Sequence, residues 1–240
     1  MRIFQKGFNY SQDGPGNRLV YHLQGCNLRC PWCANPEGLD FSGGCEYTVA
    51  ELACEARRCR MMFFDGGGVT LTGGEVTMQF DEVKEFLSEM HNDGIHTCIE
   101  TNGISKRLPE LFPIVDYLIM DIKHYDAKVH KSVTGIGNEE TINNIRRAIA
   151  EGKKLALRIP LIGGFNATGK DAEAFCELFE TLGINENTTL ELLPYHEYGK
   201  DKYKSLGMEY KMTRDAFVLA ENLNEIKKVF SDHGIKLIKT

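Results

Sequence analysis

Two hydrophobic periods alternate along the 240 residues, and few folds accommodate that pattern. Short β-branched runs at 19–23, 69–72, 96–100, 117–121, 155–160, 189–193 and 235–238 read as strands. Between them, stretches at 49–63, 80–92, 141–151, 172–182 and 213–231 carry apolar residues at helical spacing. In 80–90, for example, Phe80, Val83, Phe86, Leu87 and Met90 share one face. Only the link between the third and fourth strands lacks a clear helix, and 104–112 is read as a short one. Strand–helix alternation requires a parallel sheet with right-handed crossovers. Six or so units are too few for a closed eight-fold barrel, which takes about 250 residues. An open doubly wound sheet and a partial barrel both fit this pattern. With no repeat, linker or low-complexity tract, 1–240 reads as a single domain.

Composition narrows the class. Lys and Arg number 28 against 34 Asp and Glu, a formal net charge of −6, which argues against bulk nucleic-acid binding. Hydrophobic residues at 42% support a real core. No apolar run approaches the roughly 18 residues of a membrane span, and the first ten residues do not read as a secretory signal, so a cytoplasmic protein is expected. In that compartment the eight cysteines are more readily metal ligands, catalytic groups or core residues than disulfides.

The strand ends carry the chemistry. At or just after the C-termini of successive strands lie Cys26, Gly73-Gly74-Glu75, Glu100-Thr101-Asn102, Asp121-Ile122-Lys123, Arg158 and His196. Parallel α/β folds build their sites at that end, and six such placements favour one shared site. Residues 26–33 read Cys-Asn-Leu-Arg-Cys-Pro-Trp-Cys, the spacing C-x3-C-x2-C. Three thiolates within eight residues can wrap one soft metal centre. An iron–sulfur cluster normally takes four cysteines, so three leave one iron open to a ligand. A zinc site completed by His22, a redox pair at Cys30 and Cys33, and inert buried thiols are the alternatives.

With Asp13-Gly14-Pro15-Gly16-Asn17-Arg18, Gln24-Gly25-Cys26, Cys33-Ala34-Asn35-Pro36-Glu37, the run 66–75 ending Thr72-Gly73-Gly74-Glu75, Glu100-Thr101-Asn102-Gly103, Met120-Asp121-Ile122-Lys123 and Leu192-Leu193-Pro194-Tyr195-His196, the chain resembles the radical S-adenosylmethionine (SAM) superfamily. Within it, the ordered set is similar to the glycyl-radical-enzyme activating enzymes from about Gly14 to Met208. The resemblance implies a partial (β/α)6 barrel of parallel strands. It implies one [4Fe-4S] cluster on Cys26, Cys30 and Cys33, with SAM on the fourth iron. An electron from flavodoxin or ferredoxin then cleaves SAM, and the radical formed takes a hydrogen from a backbone glycine of a partner glycyl radical enzyme. Neither nucleic acid nor membrane enters this scheme.

The resemblance also assigns residues. Gly73 and Gly74 would let backbone approach the methionyl part of SAM, Glu75 would accept from its ammonium, and Lys123 and Arg158 would meet its carboxylate or ribose hydroxyls. Trp32, Cys33, Ala34 and His196 match positions around the adenine and ribose. Asn102 and Ile122 fall in the matched motifs, His124 directly follows the motif at 120–123 and is also assigned to cofactor binding, and Asp13 flanks the substrate cleft. Glu100 and Asp121 match an acidic pair that helps hold a monovalent cation in the family. The chain departs from the family at Glu100, where Asp is common, at Val76, and at Ala34, where His is frequent.

Several weaker signals stay outside this set. Cys45, Cys54 and Cys59 are too few and too widely spaced for a ferredoxin-like insert, which favours a formate-lyase-like partner; they read as core or surface thiols. Cys98 and Cys176 read as core. The run 164–171 nearly matches a phosphate-binding loop, but Asp171 stands where Ser or Thr is needed, so a helix cap is expected. Histidines other than His196 and His124 read as surface or structural. A radical SAM enzyme acting on another peptide or small molecule, and a zinc-binding module, are the alternative functions.

Overall fold

The computed structural model describes residues 1–238. In chain order the elements are β1 (Arg2–Tyr10), β2 (Asn17–Leu23), β3 (Cys45–Glu46), α1 (Val49–Arg58), β4 (Gly68–Gly73), α2 (Phe80–Asn92), β5 (His96–Thr101) and β6 (Tyr117–Asp121), followed by α3 (Ala127–Thr134), α4 (Glu139–Ala150), β7 (Leu155–Leu161), α5 (Gly169–Leu182), β8 (Thr188–Pro194), α6 (Lys200–Ser205), α7 (Ala220–Asp232) and β9 (Leu237–Ile238). One sheet holds every strand, in the order β3-β1-β2-β4-β5-β6-β7-β8-β9. From β2 to β9 all neighbours are parallel, and among the described residues the two edge strands do not pair, so the sheet is an open, partial barrel. The expected parallel strands all form. The additions are β1 and the two-residue β3, with β1 running antiparallel to both β2 and β3. The residues of β1 are mostly exposed, so it lacks the apolar alternation that announces a strand.

Period two divides the sheet chemically. Leu19, Tyr21 and Leu23 of β2, Val69 and Leu71 of β4, Leu118 and Met120 of β6, and Leu155, Leu157 and Ile159 of β7 pack outward into one core with the helices. The intervening residues face the concave side, where Cys98, Ile119 and Ala156 form a small separate cluster. Above that cluster the concave face turns polar.

Helix starts follow their caps. Thr48 and Glu51 form a capping box for α1, and Thr168 and Asp171 form one for α5. The near-match to a phosphate loop is therefore the N-terminal cap of α5. Helix α1 stops at Arg58, short of the expected 63, and a 3-10 turn Arg60–Met62 follows with no buried residue. The apolar run at 61–64 extended the helical pattern, but Met61 is 92% exposed and does not pack into the core. Residues 213–219, expected as helix, hold a 3-10 turn at Arg214–Ala216 before α7. Between β5 and β6 the chain forms a 3-10 helix, Leu108–Ile114, because Pro109 and Pro113 cannot donate to an α-helical ladder. The short helices α3 and α6 have too few turns to show periodicity.

Candidate functional site

The cysteine loop begins where β2 ends. Gly25 adopts φ +97°, and a Cβ there would lie 2.4 Å from the Phe41 ring. Gly25 N donates to Gly38 O at 2.9 Å and Cys26 N to Leu39 O at 3.1 Å, so the far end of the loop folds back on its start. Cys26 Sγ accepts from Leu28 N at 3.4 Å, and Cys33 N donates to Cys30 O at 3.1 Å. All three thiols are free and line one cavity of about 690 Å³. Burial pushes the thiol of Cys26 up to about 11, that of Cys30 up to about 12, and that of Cys33 upward as well. They are protonated without a metal, and ligation would release those protons.

The same cavity collects the strand ends. Thr72 and Gly73 come from β4, with Gly74 just beyond it; Glu100 and Thr101 come from β5, Asp121 from β6, Arg158 and Pro160 from β7, and Glu191 and Leu193 from β8. Asn102, Lys123 and His196 follow their strands, and Asn9, Gln12 and Asp13 reach it from the N-terminal segment. Arg158 is the hub. Its Nε donates to Glu191 Oε2 at 2.7 Å, its Nη1 to Glu100 Oε1 at 2.8 Å, and its Nη2 to the Gln12 carbonyl oxygen. Thr72 Oγ1 donates to the other Glu100 oxygen at 2.9 Å. Lys123 Nζ pairs with Asp121 Oδ2 at 2.5 Å. Burial opposes both cations, but Glu100 and Glu191 hold the Arg158 pKa above its ordinary value, and Asp121 and the cysteines do so for Lys123. Asp121 Oδ1 remains buried without a hydrogen-bond donor.

Of the sequence-derived positions, the structure brings Cys26, Cys30, Cys33, Trp32, Ala34, Gly73, Gly74, Glu100, Asn102, Asp121, Lys123, Arg158 and His196 to this cavity, and Asp13 with them. It does not bring Glu75, Ile122 or His124. The Glu75 carboxylate is buried and accepts from Thr77 N, Thr77 Oγ1, Thr101 Oγ1 and Asn102 N at 2.6–3.0 Å. Three of these bonds fall on Oε1 and one on Oε2, so the carboxylate ties the end of β4 to the end of β5. Ile122 alternates outward into the core. His124 lies against Tyr125 and Phe165, and its Nδ1 accepts from Asp126 N at 2.9 Å. The reason for the two glycines also changes. A Cβ on Gly73 would lie 2.4 Å from Leu23 N, and one on Gly74 would lie 2.1 Å from Gly25 O. Close contact between β4 and the cysteine loop by itself requires glycine at both positions, and both also line the cavity.

Sequence reasoning missed Glu191 and Tyr198, and it named His22 only as an alternative zinc ligand and Tyr195 only as part of a motif; all four line the cavity. Period two was the available signal for two of them. His22 shares a face of β2 with Arg18, and Glu191 pairs in register with Arg158. Cys45 and Cys54 are exposed, Cys59 is partly buried, and Cys98 and Cys176 are buried, as expected of surface and core thiols.

The donor set can be matched to a cofactor. Among the described residues no three His, Cys, Asp or Glu side chains converge tightly enough for a single ion. Three soft thiols spaced around a cavity suit a larger, multi-atom centre. The unpartnered Asp121 Oδ1 suits a ligand that carries hydrogen-bond donors, as the amino group and ribose of SAM do. The residues present therefore fit a [4Fe-4S] cluster with SAM.

Comparisons with known proteins agree with this chemistry. The family model of the radical SAM superfamily matches residues 20–179. The chain is similar to the pyruvate formate-lyase 1-activating enzyme of Escherichia coli (strain K12), 32% identical over 231 residues that cover 94% of this chain and 93% of the relative. It is 29% identical to the 4-hydroxyphenylacetate decarboxylase activating enzyme of Clostridioides difficile (strain CD196), covering 93% of this chain and 90% of the relative. Among solved structures it resembles a domain of a pyruvate-formate lyase-activating enzyme from Bacteroides vulgatus ATCC 8482, with a TM-score of 0.58 and 27% identity over 72% of this chain and 98% of that one.

Proposed function

Because the chain belongs to the radical SAM superfamily, an enzyme family, we propose that it activates a glycyl radical enzyme by abstracting a hydrogen from a backbone glycine. The observation that carries this reading is the near full-length similarity to two activating enzymes, joined to a cavity that gathers all three cysteines of C-x3-C-x2-C. Cys26, Cys30 and Cys33 would hold the cluster. Bound there with SAM, a reduced [4Fe-4S] cluster supplies one-electron cleavage of SAM and a 5′-deoxyadenosyl radical able to take a hydrogen atom.

The chain's own groups orient and enclose. Asp121 offers its open oxygen to donors on the bound ligand. Arg158 is held between Glu100 and Glu191, one guanidinium against two carboxylates. Arg158 also ties the Gln12 backbone to β7, fixing the segment that carries Asp13 beside the substrate cleft. Trp32, Ala34 and His196 line the cavity and would meet the adenine and ribose of the bound ligand. A monovalent cation near Glu100 and Asp121 belongs to the same reading. The partner would be of the pyruvate formate-lyase type, the electron donor a flavodoxin or ferredoxin, and the compartment an anaerobic cytoplasm.

The test is spectroscopic. The protein is reconstituted anaerobically with iron and sulfide, reduced with dithionite, and examined by EPR with and without SAM. A [4Fe-4S]+ signal that changes on adding SAM, together with 5′-deoxyadenosine formation, is expected. A glycyl radical on added pyruvate formate-lyase would complete it. A colourless protein that binds zinc would overturn the reading, and SAM cleavage with no glycyl radical on any such partner would move it to another peptide or small molecule.

A further inference from the structure

Residues 199–203, far along the chain, return to the cysteine loop. Lys202 Nζ donates to Asn35 Oδ1 at 2.8 Å and pairs with Glu37 Oε1 at 2.6 Å. Tyr203 is 5% exposed and brings its hydroxyl 3.5 Å from the Cys30 carbonyl oxygen. Gly199 packs so closely that a Cβ there would lie 2.3 Å from the Cys33 carbonyl oxygen. Helix α6 has six residues, too few to be stable by itself, so these contacts fix it as much as it fixes the loop. The charges are equally local. Glu37 Oε2 is buried without a partner, so Lys202 alone among the described residues ion-pairs with that carboxylate.

We propose that Lys202 is a positioning residue for the cysteine loop, which fixes the segment after Cys33 through Asn35 and Glu37 and balances the charge beside the metal centre. The inference rests on the reading that Cys26, Cys30 and Cys33 hold a [4Fe-4S] cluster. Reduction adds one electron from an external reductant such as dithionite, taking the cluster from 2+ to 1+. Neighbouring positive charge favours that step, and negative charge opposes it. Lys202→Met leaves Glu37 unpaired and makes reduction harder. Glu37→Gln leaves Lys202 unpaired and makes it easier. The double variant removes both charges, and its potential returns toward that of the wild type.

The experiment compares wild type, K202M, K202R, E37Q and K202M/E37Q after anaerobic reconstitution. Iron content and the reduced fraction are measured by an EPR-monitored redox titration. At the wild-type midpoint, K202M should shift the reduced-to-oxidised ratio on the order of tenfold toward oxidised, about 59 mV for one electron. E37Q should shift it the other way, while K202R and the double variant stay near wild type. Loss of iron in K202M but not in K202R also supports the positioning role. An unchanged K202M potential, or loss of iron in K202M and K202R alike, overturns it. If the wild type itself binds no cluster, the functional reading has failed, and that outcome is distinct because all five proteins share it.

Discussion

Cys26, Cys30 and Cys33 reach one cavity from a single loop, so each thiol is hard to replace from elsewhere in the fold. Cys30→Ala should abolish cluster assembly, since two thiolates on this loop cannot hold a cluster with one open iron. Iron and sulfide analysis after reconstitution checks this, and normal iron content would refute it. Glu75 makes the opposite kind of case. Its carboxylate is 1% exposed and accepts four hydrogen bonds from the protein. Glu75→Ala should therefore cost about 3 kcal/mol of folding stability, because it strands the buried Asn102 N–H and two hydroxyls. A urea titration of the metal-free protein measures this directly. A variant as stable as wild type but weak in SAM binding would restore Glu75 to the ligand's side.

At the scale of elements, the site depends on the junction between the end of β4 and the cysteine loop. Gly74 N donates to Leu23 O at 2.8 Å and Glu75 N to Gly25 O at 2.7 Å, so the two segments run in van der Waals contact. A side chain at 74 would meet Gly25 O and Gly38 O, both backbone atoms that cannot rotate away. Gly74→Val should lower stability by about 3 kcal/mol and reduce iron uptake together. Thermal melting of the metal-free protein separates this from ligand crowding, which would leave the melt unchanged. The junction extends further, because Asn102, held by Glu75, donates to Asn27 Oδ1 at 2.7 Å. Strands β4 and β5 and the loop are thus locked as one unit.

For the whole molecule, the concave face holds buried charge at the end opposite the site. Arg18 is fully buried, bonded to Thr70 Oγ1, Pro15 O, Val69 O and His96. His96 Nδ1 lies 3.2 Å from Arg18 Nη1, so the neutral ring accepts. Burial, with Arg18 second, lowers the His96 pKa to about 4, against an ordinary 6.5. The unfolded chain therefore binds a proton below pH 6.5 that the folded chain refuses until about pH 4. Stability should fall as pH drops through that window and level off below it, with His96 contributing up to about 3 kcal/mol. Chemical denaturation at several pH values should show a shallower slope in His96→Gln. An equal slope would mean that other groups carry the acid sensitivity.

The strand–helix alternation determined the parallel sheet from β2 to β9, since each apolar period can be buried in only one way against its neighbours. The C-x3-C-x2-C spacing, together with the polar strand ends, likewise located the site. Both signals are local, so they survive in one dimension. The antiparallel β1 was illegible because its side chains are mostly solvated, and α3 and α6 because six or eight residues carry too little periodicity. Tertiary structure alone decided which members of each motif face inward. Period two turned Ile122 into the core and His22 into the cavity, and pairing partners drew from strands far apart turned Glu75 into a tie and Arg158 into a hub. A side chain's role at such a site depends on the charges and donors that meet it, and those come from residues far along the chain, 146 positions away in the case of Arg158 and Gln12.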